Sequence, residues 1–230
     1  MIDDLLHLVF PRVCIICRKL LIREERFFCA ECFGDFEPFS APEQGEQALM
    51  RIVESHFGLK SLPARAWCRY AFHRSAKFRD AIHAMKYEGI FPLGAMFGHE
   101  LGELIGTSPG AAGIGGIVPV PLHSLKKIER SFNQAELIAA GIAEVLGKPL
   151  LTGVIARTKN TASQTGLSLR DRRRNMEGAF RPGKKACPRN VLLVDDVLTT
   201  GSTLVSASGV LAECGAESVS FAVVALTEKE

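Results

Sequence analysis

Two aspartates and a hydroxyl-rich turn stand side by side near the carboxyl end of the sequence. The stretch from Val191 to Leu204 spells V-L-L-V-D-D-V-L-T-T-G-S-T-L, which predicts an apolar strand, a turn and the start of a helix. The free N–H groups and the positive dipole end of a helix start attract phosphate. Asp195 and Asp196 can accept hydrogen bonds from a ribose diol or help to hold a divalent cation. These residue types predict a sugar-phosphate site beyond the carboxyl end of a strand.

The turn after the aspartates supplies the groups that a phosphate needs. Its hydroxyl side chains are Thr199, Thr200, Ser202 and Thr203, and Gly201 lets the backbone approach a ligand closely. The alternative is an ordinary strand-to-helix turn in which the aspartates serve only as a cap.

Four cysteines near the amino end form a second chemical pattern. Cys14-x-x-Cys17 and Cys29-x-x-Cys32 are separated by eleven residues, a spacing that can close a tetrahedral zinc site. Four cysteine ligands leave no open coordination position, so the predicted Zn²⁺ is structural. The alternatives are a pair of disulfides or a redox C-x-x-C motif. The isolated cysteines are expected to be packing residues, namely Cys68, Cys187 and Cys214.

The composition of the chain excludes several classes of protein. The chain has 230 residues with 47% apolar and 23% charged residues, which excludes disordered, collagenous and disulfide-dense secreted proteins. We expect a zinc module with an opening helix over residues 1–45, a helix and linker over 46–65, and a main domain over 66–230. The amino end lacks the features of a secretory signal, and no apolar run could cross a bilayer, so we expect a cytoplasmic protein.

Strand and helix patterns alternate through the main domain. They predict an α/β fold, a mostly parallel sheet with helices on both faces. The expected strands are Ala66 to Phe72, Ile117 to Pro121, Leu151 to Ala156, Val191 to Val194 and Ser218 to Ala225. The expected helices are Ile2 to Val9, Ala48 to Phe57, the segment capped by Ser75, Phe91 to Ile105, Asn133 to Leu146, Leu167 to Met176 and Thr203 to Cys214. The polar stretch from Pro38 to Gln47 is predicted to be a linker.

Positive charge is concentrated in one segment. The segment from Arg157 to Arg189 contains ten basic residues and two acidic ones, although the whole chain carries a formal charge of only +3. This segment favours an anionic partner, either a phosphate compound or nucleic acid, with a solvated arginine-rich face as the alternative.

The aspartate and hydroxyl string resembles the phosphoribosyl pyrophosphate (PRPP) signature of type I phosphoribosyltransferases. Together with the four-cysteine pattern it resembles the ComF family, which combines a zinc finger with such a domain. The resemblance extends to I-H-A-M-K-Y-E-G (Ile82 to Gly89), V-P-V-P-L (Val118 to Leu122), F-N-Q-A-E (Phe132 to Glu136) and R-R-R-N-M-E-G-A-F (Arg172 to Phe180).

The resemblance implies roles for individual residues. Asp195 and Asp196 would contact the ribose, and the turn from Thr199 to Thr203 would hold the 5′-phosphate. Lys86, the Val118 to Leu122 turn and a loop with Lys126, Lys127 and Arg130 would face the pyrophosphate, which Mg²⁺ accompanies. Arg157, Gln164, Arg172 and Asn175 would belong to a mobile flap. Each flap or loop residue taken alone is more often a surface or capping residue, and only their joint occurrence favours these roles. Ser131 stands where the family usually has glycine, so serine must be able to reach whatever backbone conformation the glycine uses there. A positive φ is uncommon for serine and costs about 1 kcal/mol.

Three functions follow as hypotheses. The first is a Mg²⁺-dependent phosphoribosyltransferase that acts on PRPP or a related compound and an unspecified acceptor. The second is a non-catalytic sensor of PRPP or a nucleotide. The third, implied by the family's association with competence and DNA uptake, is an adaptor for single-stranded DNA or competence-machinery proteins.

Overall fold

A computed structural model describes residues 11–72, 75–159 and 178–227, without the side chains of residues 129 and 130. Its helices are α1 (Ala30–Gly34), α2 (Pro42–Phe57), α3 (Ala76–Tyr87), α4 (Pro92–Gly106), α5 (Ser124–Arg130), α6 (Gln134–Leu146) and α7 (Ser202–Glu213). Its strands are β1 (Ala66–Ala71), β2 (Gly116–Pro119), β3 (Ile155–Arg157), β4 (Phe180–Pro182), β5 (Asn190–Leu198) and β6 (Ser218–Leu226). The helices predicted for Ile2 to Val9 and Leu167 to Met176 lie outside these residues.

Four strands form a parallel sheet in the order β1-β6-β5-β2. The apolar runs that the sequence shows at these strands are typical of parallel sheets buried on both faces. A separate antiparallel pair joins β3 to β4. The predicted α/β class and the parallel sheet are therefore confirmed.

The two faces of the sheet carry different helices. On one face Leu192 and Val194 of β5 belong to a core that includes α3, α4 and α6. On the other, Val191 and Leu193 pack in a core with α2, α7, β3 and β4. This division follows from the alternation of side chains along a strand.

Glycines let α4 and α6 lie unusually close. An ideal Cβ on Gly98 would lie 2.2 Å from the carbonyl oxygen of Ile138, and one on Gly141 would lie 2.4 Å from that of Ala95. A side chain at either position would push the two helices apart, so the glycines set the spacing between α4 and α6.

The cysteine module packs on the same face as α3. Its Phe36 ring meets Phe78 of α3 edge to face at 5.3 Å between centroids, and Tyr70 of β1 at 6.0 Å. Lys77 of α3 adds an ion pair to Asp35 at 2.7 Å. A small module that lacks a core of its own is thus anchored by aromatic contacts with the main domain.

Several predicted boundaries were wrong. The stretch from Pro38 to Gln47 is not a linker throughout, because α2 begins at Pro42, a residue suited to the first turn of a helix. Strand β5 continues to Leu198, beyond the expected Val194, because its second half pairs with β6. The strand expected from Leu151 is reduced to β3, and β4 was not predicted. Short elements such as these depend on pairing that a sequence pattern does not display.

Across residues 11–72, 75–159 and 178–227, no helix combines the length and apolar character needed to cross a membrane.

Candidate functional site

The candidate site lies at the carboxyl edge of the sheet, between β5 and β2. Helix α6, which follows β2 in sequence, packs on one face, while α7, which follows β5, packs on the other. When the connections that follow two neighbouring strands run to opposite faces of the sheet, a crevice opens at the carboxyl ends of those strands. Strand β2 pairs with β5 only as far as Val194. The next residues of β5, Asp195 and Asp196, therefore lie where the sheet has opened.

The two aspartates point to opposite sides of β5, as successive residues of a strand must. On the α3 side, Asp196 Oδ2 lies 2.9 Å from the ammonium nitrogen of Lys86, in the last turn of α3. The other oxygen, Asp196 Oδ1, accepts a hydrogen bond from the backbone N–H of Val197 at 2.6 Å. Both partners of the ion pair are largely buried, with side chains 21% and 15% exposed. Asp196 is held firmly in one orientation.

Asp195 faces the side on which β3 and β4 lie. Burial, reinforced by the charge of Asp196, raises the pKa of Asp195 to about 7. The backbone N–H of Asp196, which donates to Asp195 Oδ1 at 2.9 Å, acts in the opposite direction, as do the charges of nearby cations. A carboxyl group with this pKa can exchange a proton near neutral pH.

Arg157 of β3 supplies one of those cations. Its guanidinium lies over the ring of Phe180 in β4, 5.5 Å from the centroid. Burial lowers the pKa of Arg157, and the charge of Asp195 opposes that shift. The pairing of β3 with β4 thus brings a predicted flap residue close to the aspartate pair.

The turn from Thr199 to Thr203 leads directly into α7. Gly201 adopts φ +81° at the N-cap position, a conformation that suits glycine. The Thr200 and Ser202 hydroxyls are buried and 3.2 Å apart, and the Ser202 N–H points to Thr200 Oγ1 at 3.4 Å. The first N–H groups of any α-helix have no acceptor within the helix. At the start of α7 these groups can therefore bind an anion at the turn.

The structure describes only some of the remaining predicted residues. The side chain of Arg130 and the flap residues Gln164, Arg172 and Asn175 lie outside the described residues. Lys127 is 60% exposed and lies 3.9 Å from Glu136. His123 caps α5 by accepting a hydrogen bond from the N–H of Leu125. Ser131, which stands where the family usually has glycine, has φ +65°.

Three residues near the site were not predicted. Asn133 caps α6 and also donates from Nδ2 to the carbonyl oxygen of Val120 at 3.0 Å. Gln134 is 2% exposed, and within the described part of the chain its amide nitrogen has no hydrogen-bond partner. Val53 of α2 is fully buried in the same core as Leu198 and Leu204, which flank the turn. The F-N-Q string and the helical spacing of Leu49 and Val53 were the available signals.

The basic segment does not act as one uniform surface. The charges of Arg157 and Asp195 act on each other, and Arg189 forms an ion pair with Glu217 of the α7–β6 connection. Part of the positive charge counted in the sequence is therefore neutralised within the protein.

The four predicted cysteines form a separate candidate metal centre. The sulfur atoms of Cys14, Cys17, Cys29 and Cys32 all lie within 4.8 Å of one another, and the Cys17 and Cys29 sulfurs are 3.6 Å apart. A tetrahedral Zn²⁺ with Zn–S bonds of about 2.3 Å needs sulfur separations of about 3.8 Å. The four sulfurs fit Zn²⁺, which would supply folding free energy and no catalytic position. It is the one such cluster among the described residues.

The electrostatics of this cluster favour a cation. Burial opposes ionisation of Cys14, but N–H groups of Cys17, Cys29 and Ile16 outweigh it and lower the pKa of Cys14 to about 6. Burial and the neighbouring sulfurs raise the pKa of Cys32. A divalent cation at the centre would stabilise all four thiolates together.

Comparisons with known proteins match the two parts of the chain in which these candidate sites lie. A family model described as Phosphoribosyl transferase domain matches residues 133–230, and one described as Double zinc ribbon domain matches residues 5–43. The chain is 42% identical over 106 residues to Competence protein F of Haemophilus influenzae, a match that covers 45% of this chain and 46% of that protein. It is 25% identical over 208 residues to Competence protein ComFC of Streptococcus pneumoniae, covering 87% and 88% of the two chains.

The chain spans about half the length of the first of these relatives. A purine phosphoribosyltransferase from Pyrococcus horikoshii Ot3 matches 59% of this chain and 75% of its own at 17% identity. Its TM-score of 0.35 is too low to establish a common fold.

Proposed function

Because the chain belongs to the ComF family, we propose that it binds PRPP in the crevice between β5 and β2 and transfers the phosphoribosyl group to an acceptor. The observation that carries the proposal is the position of Asp195, Asp196 and the Thr199–Thr203 turn on one continuous strand-turn-helix at the point where the sheet opens. Carboxylates and a helix start in this order suit a sugar that carries a terminal phosphate.

Each part of PRPP has a proposed partner. The ribose hydroxyls donate to the carboxylates of Asp195 and Asp196. The 5′-phosphate accepts hydrogen bonds from Thr199, Thr200, Ser202, Thr203 and the backbone of Gly201. We assign the pyrophosphate end to Lys86, which already lies at the carboxylate pair, and to Arg130 after β2. Arg157, Gln164, Arg172 and Asn175 would close over the substrate and exclude water.

The transfer exchanges one bond at C1 of the ribose. The bond from C1 to the pyrophosphate oxygen breaks, and the pyrophosphate keeps the electron pair. A bond from C1 to the acceptor nucleophile forms, and the acceptor's proton passes to the departing pyrophosphate. Mg²⁺ enters as part of the substrate and neutralises charge on the pyrophosphate. Lysine and arginine side chains would stabilise the charge that develops on the leaving group.

Calorimetric titration of the purified protein with Mg²⁺ and PRPP tests the binding step. The Asp195→Ala/Asp196→Ala double variant should lose PRPP binding and retain its circular dichroism spectrum. An Asp80→Ala variant controls for the loss of an acidic side chain, because Asp80 is exposed on α3. Unchanged PRPP affinity in the double variant would remove the proposal.

A second measurement separates an enzyme from a sensor. Pyrophosphate release from Mg²⁺-PRPP is followed in the presence of a panel of nucleobases. Release that requires both an acceptor and the aspartate pair supports transfer. PRPP binding without release from any acceptor supports the sensor hypothesis instead.

The names of the matched relatives also bear on the role of the protein in the cell. Two of them are called competence proteins, so we propose that the activity serves DNA uptake. A strain that carries the double aspartate variant should transform less often than its parent. Direct contact with single-stranded DNA through the basic segment is the competing explanation. It requires log affinity to fall steeply with log salt concentration.

A further inference from the structure

Cys187 and Cys214 stand at the two ends of the segment that carries the candidate sugar-phosphate site. Cys187 precedes β5, and Cys214 is the C-cap residue of α7. The chain between them therefore contains β5, the Thr199–Thr203 turn and α7. In the sequence the two cysteines are far apart, and each one taken alone fits a packing role.

The sulfur of Cys187 lies against the last turn of α7. Its thiol lies 3.8 Å from the carbonyl oxygen of Leu211, to which it donates weakly, and the sulfur accepts a hydrogen bond from the N–H of Ala216. The same N–H also donates to the Leu211 carbonyl at 3.0 Å. Cys214 lies between Leu211 and Ala216 in the chain. These contacts hold the Cys187 sulfur at the turn that Cys214 completes.

Helical spacing directs the Cys214 side chain toward the same side of α7. Cys214 follows Leu211 by three residues and keeps a right-handed helical conformation, with φ −78° and ψ 0°. Residues three apart lie on one face of a helix. Leu211 is fully buried in the core against which Cys187 packs. Cys214 is itself half-buried, whereas its neighbours Glu213 and Gly215 are exposed.

The electrostatics of Cys187 agree with this placement. Burial, followed by the charge of Cys214, raises the pKa of the Cys187 thiol, and the N–H of Ala216 acts in the opposite direction. The influence of one charge on another decreases with distance, so the two sulfurs are neighbours. Both cysteines are half-buried and therefore accessible in part, in contrast to Cys68, which is 1% exposed.

We propose that Cys187 and Cys214 form a reversible disulfide that joins the two ends of the strand-turn-helix of the candidate site. The oxidant is a small disulfide such as oxidised glutathione, which reacts by thiol–disulfide exchange. In a reducing compartment such bonds are transient and respond to redox conditions. The inference goes beyond the proposed function and does not depend on PRPP binding.

The exchange proceeds in two steps. The Cys214 thiolate attacks one sulfur of oxidised glutathione, the S–S bond of glutathione breaks, and one glutathione thiolate leaves with the electron pair. Cys187 then loses its proton to solvent and attacks the Cys214 sulfur of the mixed disulfide, so that the second glutathione leaves. Two protein thiols are oxidised and one small disulfide is reduced to two thiols. Excess reduced glutathione reverses both steps.

The bond should stabilise the folded protein. It closes a loop that contains β5 and α7, and such a cross-link restricts the unfolded chain more than the folded one. We expect the midpoint of urea unfolding to rise by about 1 M in the oxidised protein.

Oxidation of the folded protein with oxidised glutathione tests the inference. Free thiols are then blocked by alkylation, and the protein is digested with trypsin. Trypsin cuts after Lys185 and Arg189, so the two cysteines fall on different peptides that only a disulfide can hold together. Mass spectrometry should find this joined pair before reduction and the separate peptides after it. Glutathione on Cys187 or Cys214 without the joined pair, or disulfides confined to the four-cysteine cluster, would overturn the inference.

Single variants show whether this bond is responsible for the stability change. Cys187→Ser and Cys214→Ser should each lose both the joined peptides and the shift in the urea midpoint. Cys68→Ala is a matched control, since it removes a thiol of β1 that lies outside the pair, and it should retain both. A shift in midpoint that persists in Cys187→Ser and Cys214→Ser would show that another modification causes it. None of these measurements uses PRPP, so the proposed function can fail while this inference stands, and the reverse is equally possible.

Discussion

Gly201 of the candidate phosphate turn lies directly against Val53 of α2. An ideal Cβ on Gly201 would lie 3.1 Å from Val53 Cγ2, and the glycine has φ +81°. Two independent constraints therefore disfavour a side chain at this position. The contact also shows that α2, which links the cysteine module to β1, supports the turn from below.

Replacement of Gly201 by alanine should disturb both the fold and the site. The positive φ alone costs about 1–2 kcal/mol for a residue with a side chain, and the Val53 contact adds to it. We expect a lower unfolding free energy in urea and weaker PRPP binding by calorimetry. Adding Val53→Ala should relieve the contact but not the backbone strain.

Gly209→Ala in the same helix is the matched control for this substitution. Nothing lies within 4 Å of the position of its Cβ, and its φ is not positive. Alanine there should raise the unfolding free energy by about 0.5–1 kcal/mol. Equal effects at Gly201 and Gly209 would contradict the constraint assigned to Gly201.

Lys86 should matter for ligand binding because it orients Asp196. In Lys86→Met the buried carboxylate loses its charged partner, and a lost partner of a buried ion pair costs several kcal/mol. We expect PRPP affinity to fall at least about tenfold, a change that corresponds to about 1.4 kcal/mol. Lys86→Arg should retain part of the PRPP affinity that Lys86→Met loses.

The control for Lys86 is Lys77→Met on the same helix. Lys77 is 30% exposed and pairs with Asp35 of the cysteine module at 2.7 Å. Its loss should leave PRPP affinity unchanged. A similar loss of affinity in both variants would mean that general destabilisation of α3, and not the contact with Asp196, is responsible.

Asp195 should make stability depend on pH. Its pKa in the folded protein is raised from 3.8 to about 7, so the folded state binds this proton more tightly than the unfolded chain. The contribution of this group to the unfolding free energy therefore falls as pH rises from 3.8 to about 7 and stays low above that range. Asp195→Asn should remove this dependence. Relative to wild type, the variant should be stabilised most above about pH 7 and should not be stabilised below pH 3.8.

Urea unfolding of both proteins at several pH values measures this difference. Asp80→Asn, a change at an exposed position on α3, controls for the removal of one negative charge. A constant difference between Asp195→Asn and wild type across the whole range would disprove the assigned pKa shift.

The cysteine cluster should hold one Zn²⁺ per chain. In Cys32→Ser, which removes a sulfur that is 1% exposed, we expect elemental analysis to show loss of the metal and limited proteolysis to cut between residues 11 and 41. The physical reason is that metal binding supplies the folding free energy of so small a module.

Cys187→Ser is the control for the cluster, because Cys187 lies apart from it and donates weakly to backbone carbonyls. It should keep its metal and its protease resistance. Full stability of metal-free wild-type protein would show that zinc has no structural role.

The sequence by itself determined the local chemistry of this protein. The C-x-x-C pairs, the aspartate pair and the T-T-G-S-T turn each lie within a few residues, so their spacing already specifies which groups can act together. The cap at Ser75 is equally local. Short-range geometry of this kind depends on residues that are close in sequence, so it can be recognised from the sequence pattern.

Only the tertiary structure decided which distant residues meet. Lys86 reaches Asp196 across 110 positions because α3 packs on one face of β5, and Arg157 approaches Asp195 because β3 and β4 pack on the other. Val53 supports Gly201 for the same reason. These contacts depend on strand order and on the face that each helix covers, and neither is contained in the periodicity of a single segment.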